Sequence, residues 1–592
     1  MEIDIIIVTY NSSKWVNACL ESIRNSSFSV GNVHLTLVDN KSSDNTVELL
    51  ERYPKQKNFG SFTIIKSEVN LGFGKANNLA VSRTNQDYIF FLNIDTELDL
   101  NCLSQLEKTI QSSCKEVALW ECRQFPYEHP KYYNPVNLET TWASGAACVV
   151  KRNAFVDVGM FDEEIFMYAE DVDLSWRLRA RGYKLLYSPN CIVHHYTYQS
   201  AGEVKPNQYY NSTYNNLMMR YKFGTWKDII KGYILYGALM VIPNSFKGHR
   251  KKIAKSLVKS IAQGIHFRQK GRHIRNAGFK PKFKIWNYEI VREGAFYVNE
   301  LPSSNPLVSV IIRTCGRPDV LREALLTVRH QTYSNIEVVI VEDGPAISEE
   351  MIRNDFFDLN IRYISTEKNV GRCIAGNIAL TNASGELFNF LDDDDVLFAD
   401  HIEVLVAQYY QHHSDNVAIY AIGLETPIRI MSKTPYVYEE TSYNLIHRQE
   451  YDRRILLHHN YFPIQTVLFS RKLFDQFGGF DPKLEVLEDW DLWLRYSFAG
   501  EFYFVDKVTS MYRVPSEPTD NLKRQQMLDH YLKVVREKHV GTGEANIEAE
   551  LSDFVGFKSK LLVVMSQIRQ GRYDVLIYKM KNKLKAKIKK IF

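Results

Sequence analysis

Residues 159–179 read GMFDEEIFMYAEDVDLSWRLR, and residues 478–495 read GGFDPKLEVLEDWDLWLR. The second stretch restates the first: a glycine-led turn, a Phe-Asp pair, then a Glu-Asp-x-Asp cluster running straight into an apolar helical pattern. Each stretch closes a series of motifs that recurs in the same order. IDIIIVTY (3–10) is answered by LVSVIIRT (307–314), and LTLVDN (35–40) by VVIVED (338–343). NLGFGKANN (70–78) is answered by NVGRCIAGN (369–377), so Asn70, Gly72, Ala76 and Asn78 reappear as Asn369, Gly371, Ala375 and Asn377. YIFFLNID (88–95) is answered by LFNFLDDD (387–394). Internal repetition therefore organises the chain.

Short apolar runs bounded by polar residues read as buried strands, and here they alternate with helical segments. That alternation predicts an α/β fold with a mostly parallel sheet in each repeat. Ligands of such sheets bind beyond the carboxyl ends of the strands, where the polar residues of each motif fall. The repeat places one domain at 1–220 and a second at 305–515. A basic, helix-compatible linker occupies 221–304, and a helical C-terminal region 516–592.

Size and composition agree with several folded cores. The chain has 592 residues, 45% hydrophobic and 24% charged, which is globular composition and excludes wholesale disorder. A net charge of +4 is too small for a general nucleic-acid binder. Eight cysteines occur without a CxxC pair. Cys148 and Cys315 lie in apolar runs and read as buried free thiols, which fits a reducing cytoplasm. Met1-Glu2-Ile3-Asp4 enters a strand directly, so no signal peptide is expected. The longest apolar stretch, around Tyr233–Pro243, is short of the roughly 20 residues that span a bilayer.

The acidic strand ends carry the sharpest chemistry. Asp392-Asp393-Asp394-Asp395 gathers hard oxygen ligands suited to Mg²⁺ or Mn²⁺, and such an ion usually also engages substrate phosphates. The bland reading is a solvated acidic turn. In the first repeat the equivalent is Asn93-Ile94-Asp95, where Asp95 must carry most of the metal binding. The Glu170-Asp171 and Glu488-Asp489 pairs suit proton abstraction from a hydroxyl, because a carboxylate beside other acids titrates higher. The same acids also suit the first turn of a helix, and both roles can hold together. Thr9, Tyr10 and Asn11, or Arg313 and Thr314, end the first strands and are candidates to hold a nucleoside. Asp39 and Glu342 are placed to accept the imide N–H of a pyrimidine. His194-His195 follow a strand, and His194 is the preferred candidate to complete a metal's ligand set, against an ordinary partly buried histidine.

Together these motifs resemble the inverting glycosyltransferases of family 2, with the GT-A fold, over about 1–220 and 305–515. The resemblance implies two nucleotide-diphospho-sugar transferase domains in tandem, dependent on Mg²⁺ or Mn²⁺. It implies that Asp39 and Glu342 contact the base, and that Asn93 with Asp95, and Asp392 with Asp394, bind ribose, diphosphate and metal. Asn70, Gly72, Asn78, Asn369, Gly371 and Asn377 would join the donor site, and His194 would be a further metal ligand. Asp171 and Asp489 would be catalytic bases, with Trp142, Glu170, Glu488 and Trp490 on the acceptor side. The first domain is similar to bacterial rhamnosyltransferases that use dTDP-rhamnose, on NLGFGKANN, FLNIDT, WASGA (142–146) and MYAEDVDLSWRLRARGY. The second is closer to the general pattern, with a UDP-hexose or UDP-N-acetylhexosamine as expected donor. It departs in having Tyr512-Arg513-Val514 where His194 would align, and GPAIS in place of Ser42-Ser43-Asp44.

The last twenty residues put Tyr573, Ile577, Met580, Leu584, Ile588 and Ile591 at helical spacing among lysines, an amphipathic basic helix suited to an anionic membrane surface. The expectation is a peripheral enzyme on the inner face of the cytoplasmic membrane, adding two sugars to a lipid-linked surface polysaccharide. The rivals are one active domain beside a degenerate glycan-binding one, and a non-catalytic nucleotide-sugar-binding scaffold.

Overall fold

The computed structural model describes residues 1–53, 58–198, 200, 203, 205–242, 246, 248–294, 300–412, 416–516 and 518–540. The basic stretch 573–592 lies outside them. The chain divides into two compact units, Met1–Val298 and Asn299–Phe592.

In the first unit the strands are β1 (Ile3–Thr9), β2 (Val33–Asp39), β3 (Ser61–Lys66), β4 (Tyr88–Leu92), β5 (Thr96–Leu98), β6 (Val117–Phe125), β7 (Ala147–Lys151) and β8 (Lys184–His195). They form one sheet in the order β3-β2-β1-β4-β7-β6-β8-β5. β1 pairs in parallel with both β2 and β4, and β7 runs antiparallel to β4 and β6. β1 is apolar almost throughout because it is covered on both sides. Ile5 and Ile7 pack with Leu35, Leu37 and Phe90 on one face, whereas Ile6 packs with Val38, Ile89 and Phe91 on the other. Each such fully buried side chain contributes about 1.5–3 kcal/mol, so the period-2 register is firmly specified.

The second unit repeats this arrangement. A small hairpin of β9 (Phe283–Lys284) and β10 (Asn287–Tyr288) still belongs to the first unit. Then follow β11 (Val308–Thr314), β12 (Ile336–Glu342), β13 (Ile361–Ser365), β14 (Leu387–Asp392), β15 (Val396–Leu397), β16 (Val417–Lys433), β17 (Tyr436–Glu440), β18 (Val467–Ser470) and β19 (Glu501–Pro515). Their order is β13-β12-β11-β14-β18-β16-β19-β15, with β17 added on β16. Strand for strand this is the order of the first sheet.

The helices that matter in the first unit are α1 (Phe73–Val81), α2 (Glu170–Ala180), α3 (Pro206–Phe223), α4 (Trp226–Val241) and α5 (His249–Lys270). Those in the second are α6 (Arg372–Asn382), α7 (Glu488–Tyr496) and α8 (Pro518–Val540). The stretch 221–304 is not a linker: up to Val298 it belongs to the first unit. Trp176 of α2 packs edge-on against Phe223, Phe283 and Tyr288, and α3, α4 and α5 share a core with α2. Its lysine-rich composition reflects exposed helix faces, while Gly232 and Gly264 let α4 and α5 close on α3. A Cβ at Gly264 would fall 2.4 Å from the Tyr221 ring.

One clasp occurs in both units. Asp173, last acid of the first Glu-Asp-x-Asp cluster, is fully buried and pairs with Arg177 one turn on and with Lys222 of α3. Lys222 also binds Asp162 at 2.7 Å. In the second unit Asp491 pairs with Arg495 and with Lys538 of α8, and Lys538 also binds Asp481 at 2.6 Å. Asp173 and Asp491 are charges out of water, tolerable only because each is matched by cations and hydrogen-bonded.

Candidate active site

A cavity of about 670 Å³ opens in the first unit, walled by the ends of β1 and β4, the segment before α2, and the β9–β10 hairpin. Asn93, Asp95, Trp142, Glu170, Asp171 and His195 line it. Asp171 stands at the start of α2, which the chain enters through Ala169 in the left-handed region, φ 75°. That turn is sparsely populated for a residue with a Cβ, and it aims the two acids of the cluster at the cavity. Asp171 accepts the Gly145 N–H at 3.0 Å and the Val172 N–H at 2.8 Å. Burial raises its pKa against the lowering by these two amides. Glu170 titrates far above the usual carboxylate range, from burial first and the charge of Asp171 second. Its buried Oε2 has no hydrogen-bond partner.

The metal candidates are Asp95 and His195. The structure corrects the choice between the two histidines: His195 Nε2 lies 3.4 Å from Asp95 Oδ1, whereas His194 faces away and packs edge-on against Phe125. His195 Nδ1 bonds Gln124 Oε1 at 2.8 Å and its Nε2 meets the Thr197 hydroxyl at 2.5 Å, so the ring is held with Nε2 on the Asp95 side. Burial raises the Asp95 pKa, but His195 and the Thr197 hydroxyl bring it below the ordinary value. Among the described residues no three His, Cys, Asp or Glu side chains converge to hold a metal alone. Two protein ligands beside a diphosphate fit an ion such as Mg²⁺, which keeps phosphate and water in its shell.

The second unit is built differently around the same acids. Asp489 starts α7 behind Leu487, φ 62°. It accepts the Trp490 N–H at 2.8 Å, and Asn460 Nδ2 at 2.8 Å takes the place of the Gly145 amide. Burial and the adjacent Glu488 push its pKa up to about 7. Arg313 lies between Asp392 and Glu488, with Nη2 2.7 Å from Asp392 Oδ1 and Nη1 3.0 Å from Glu488 Oε1. Asp392, expected as a metal ligand, therefore gives that oxygen to Arg313, and Asp394 is the most exposed acid of the cluster, with Arg317 3.5 Å from its Oδ2. Val8 occupies the position of Arg313 in the first unit, and there the facing residue is the neutral Asn93. Arg313 and Asp392 are thus replaced together by Val8 and Asn93, while Glu170, the counterpart of Glu488, is kept.

Several expected donor contacts are replaced by internal ones. Asn78 and Asn377 each clamp a backbone: Asn78 donates to the Phe161 carbonyl and accepts its N–H, and Asn377 does the same with Phe480. Both amides are spent on the turn that precedes the Glu-Asp cluster. Glu342 is fully buried and accepts from the Gly316 and Ser348 amides and the Ser348 and Tyr363 hydroxyls. Its four lone-pair positions are filled, so it does not await a base. Among the described residues, the Asp39 carboxylate accepts only the Thr9 hydroxyl and the Ser42 amide and keeps spare capacity. Thr9 and Thr314 are buried and bind Asp39 and Asp393. Trp490 is also fully buried, its indole donating to the Leu456 carbonyl, and Glu488 is held by Arg313, so neither faces an acceptor.

Tyr10, Asn11, Asn70 and Gly72 do line the first cavity. The Asn70 loop is held by Asn40, which accepts the Leu71 N–H and donates to Asn70 and Gly72. Asp343 takes this place in the second unit, accepting the Val370 and Gly371 amides. Asn369 is exposed, beside Cys315, itself exposed rather than buried as its apolar run suggested. Sequence reasoning missed Asn40, Asp343, Gln124 and Asn460, although Asn40 and Asp343 stand last in the quoted strand motifs, and it offered Arg313 as a nucleoside contact, whereas the side chain pairs with Asp392 and Glu488. It also missed the buried Lys131–Glu121 pair behind Trp142.

A doubly repeated sheet of this order, with acids at the end of the fourth strand and at the head of a later helix, defines a GT-A glycosyltransferase. The chain belongs to glycosyl transferase family 2, whose family model matches residues 4–161 and 309–478. It is 28% identical over 263 residues to an uncharacterized glycosyltransferase of Rickettsia prowazekii, covering 43% of this chain and 81% of that one. It is 27% identical over 214 residues, 36% of this chain and 74% of the relative, to WcaA of Escherichia coli, by name a colanic acid biosynthesis glycosyl transferase. Among solved structures it is similar to the mannosyltransferase PcManGT of Pyrobaculum calidifontis with GDP-Man and Mn²⁺, at 13% identity and TM-score 0.30, covering 47% and 86% of the two chains. The S. aureus TarS fragment with UDP-GlcNAc matches at 14% identity and TM-score 0.32, covering 50% and 98%.

Proposed function

We propose that each unit transfers a sugar from a nucleoside diphosphate donor with inversion, and that the chain adds two different sugars to a growing lipid-linked surface polysaccharide. The observation that carries this reading is the twofold placement of one carboxylate: Asp171 and Asp489 each open a helix behind a left-handed residue and each bind the next backbone amide. In each unit that carboxylate takes the acceptor hydroxyl's proton as the oxygen forms its bond to the anomeric carbon. The bond from that carbon to the diphosphate oxygen breaks on the opposite side, and its electrons leave with the nucleoside diphosphate. Asp95 and His195 in the first unit and Asp394 in the second would hold Mg²⁺ or Mn²⁺, which when bound would supply positive charge to the diphosphate.

The donors differ. The first unit, with Asn93, Asp39 and the Asn70 loop, suits dTDP-rhamnose. The second takes a UDP-hexose or UDP-N-acetylhexosamine, and with Glu342 saturated it reads the base by other groups. The polysaccharide role is supported by the colanic acid designation of the Escherichia coli relative. Two sites on one chain raise the effective concentration of the first product at the second site. The test is nucleoside diphosphate release over a panel of nucleotide sugars by Asp171→Asn and Asp489→Asn proteins. Each variant loses one donor and keeps the other, and a variant that keeps both refutes tandem catalysis.

A further inference from the structure

We propose that the outer face of α4 and α5 docks the first unit flat on an anionic lipid bilayer. α4 is apolar on both sides. Ile229, Gly232 and Tyr236 are buried toward α3, yet Trp226, Ile230, Ile234 and Val241 form a second stripe that is 61%, 59%, 65% and 75% exposed. α5 adds exposed Val258, Ile261 and Ile265, opposite its buried Ile253, Gly264 and Phe267. The two helices pack on each other and on α3. Large apolar side chains repeated along two adjacent helices mark an interaction surface rather than scattered exposure.

Charge selects the occupant. Lys227, Lys231, Lys251, Lys255 and Lys259 are exposed on the same helices. From Trp226 to Lys284 the only acid is Asp228, and its carboxylate is taken by the amide and hydroxyl of Thr225 in the cap of α4. A second copy meeting this face about a two-fold axis would set lysines against lysines, and the basic stretch 573–592 would meet the same repulsion. An anionic bilayer satisfies both halves of the surface, apolar side chains at the acyl boundary and lysines at the headgroups. No described helix is long and apolar enough to cross a membrane, so these helices would lie in the interface. Tyr236 of α4 packs on Trp286 of the cavity wall, with ring centroids 6.1 Å apart, so the bilayer would run close to the cavity. Only that benefit, access to a lipid-linked acceptor, rests on the function proposed above.

The test uses the full chain, sedimented with vesicles of phosphatidylcholine alone or mixed with phosphatidylglycerol. Three versions are compared: wild type, an Ile230→Glu/Ile234→Glu/Ile261→Glu variant, and a Lys585→Glu/Lys589→Glu variant. All three substituted isoleucines are exposed, and thermal melting checks that the fold is kept. The wild type should bind the anionic vesicles and not those of phosphatidylcholine alone. The isoleucine variant should lose at least tenfold in partitioning while releasing nucleoside diphosphate with a soluble acceptor at the wild-type rate. The proposal is overturned if the wild type ignores anionic vesicles, if the isoleucine variant binds as well as wild type while the lysine variant does not, or if the isoleucine variant instead dissociates a dimer. Vesicle binding is read without any sugar transfer, so failure of the catalytic reading would leave it intact.

Discussion

Replacing Arg313 by Val gives the second unit the residue the first unit has at that place. The guanidinium binds Asp392 through Nε and Nη2 and Glu488 through Nη1, and it is 7% exposed. Its loss leaves the buried Glu488 with only Arg372, 3.6 Å away, and takes from the part-exposed Asp392 its closest cation, a change that costs about 3–5 kcal/mol. Unfolding entropy near 2.1 cal/mol/K per residue gives a unit of this size roughly 0.6 kcal/mol/K, so the second unit's melting temperature should fall by about 5–8 °C. Adding Asp392→Asn recreates the Val8/Asn93 pair and removes one orphaned charge, so the double variant should recover at least half of the loss. Calorimetry follows the stability, and release of the second unit's nucleoside diphosphate follows function. If Arg313→Val melts within 1 °C of wild type, or if Asp392→Asn adds to the damage, the exchange of Arg313/Asp392 for Val8/Asn93 is not an electrostatic compensation.

Three further outcomes follow from the site. His195→Ala should raise the metal concentration needed for transfer by the first unit about 10–100-fold, while His194→Ala leaves it unchanged; a metal titration of donor-dependent release compares them. Asp489, with its carboxyl at about 7, must ionise to act, so transfer by the second unit should fall about tenfold per pH unit below 7. Its stability runs the other way. The folded state keeps a proton that the unfolded chain gives up near pH 4, so this group's contribution to stability declines as pH rises from about 4 to 7, and melting curves across that range check the sign. Asn78→Leu strips a buried amide and carbonyl of Phe161 of their partner and should destabilise the first unit by about 2–4 kcal/mol, measured by urea unfolding, with little change in donor affinity.

The sheets were legible because apolar runs of strand length, repeated in order, leave few alternatives. The Glu-Asp helices were legible for the same reason. Repetition could not separate the jobs of repeated residues: Asn78 and Asn377 recur because the turn at Phe161 and Phe480 needs a two-sided amide, a need that looks in sequence like ligand binding. The histidine was missed on parity. The register between β6 and β8 shifts between Cys122 and Arg123, and such an irregularity resets which side chains face the site, so counting along LLYSPNCIVHH does not give the answer. The 221–304 stretch was read as a linker because its lysines dominate composition, whereas its packing is carried by glycines and aromatic residues at wide spacing. Asn460 lies outside the repeated motifs, where comparison of the two copies was blind, and the ion pairs of Arg313 depend on side-chain directions that letters do not carry.

The paired clasps at Lys222 and Lys538 bear on how the protein can be divided. A piece cut at residue 220 or 515, where the repeat places the domain ends, would lack the lysine that Asp173 or Asp491 shares with a second acid, and would leave that buried carboxylate only the arginine of its own helix. The inherited module is therefore longer than its signature and runs through the helix after the last common strand. Any swap of units between related proteins has to carry that helix along.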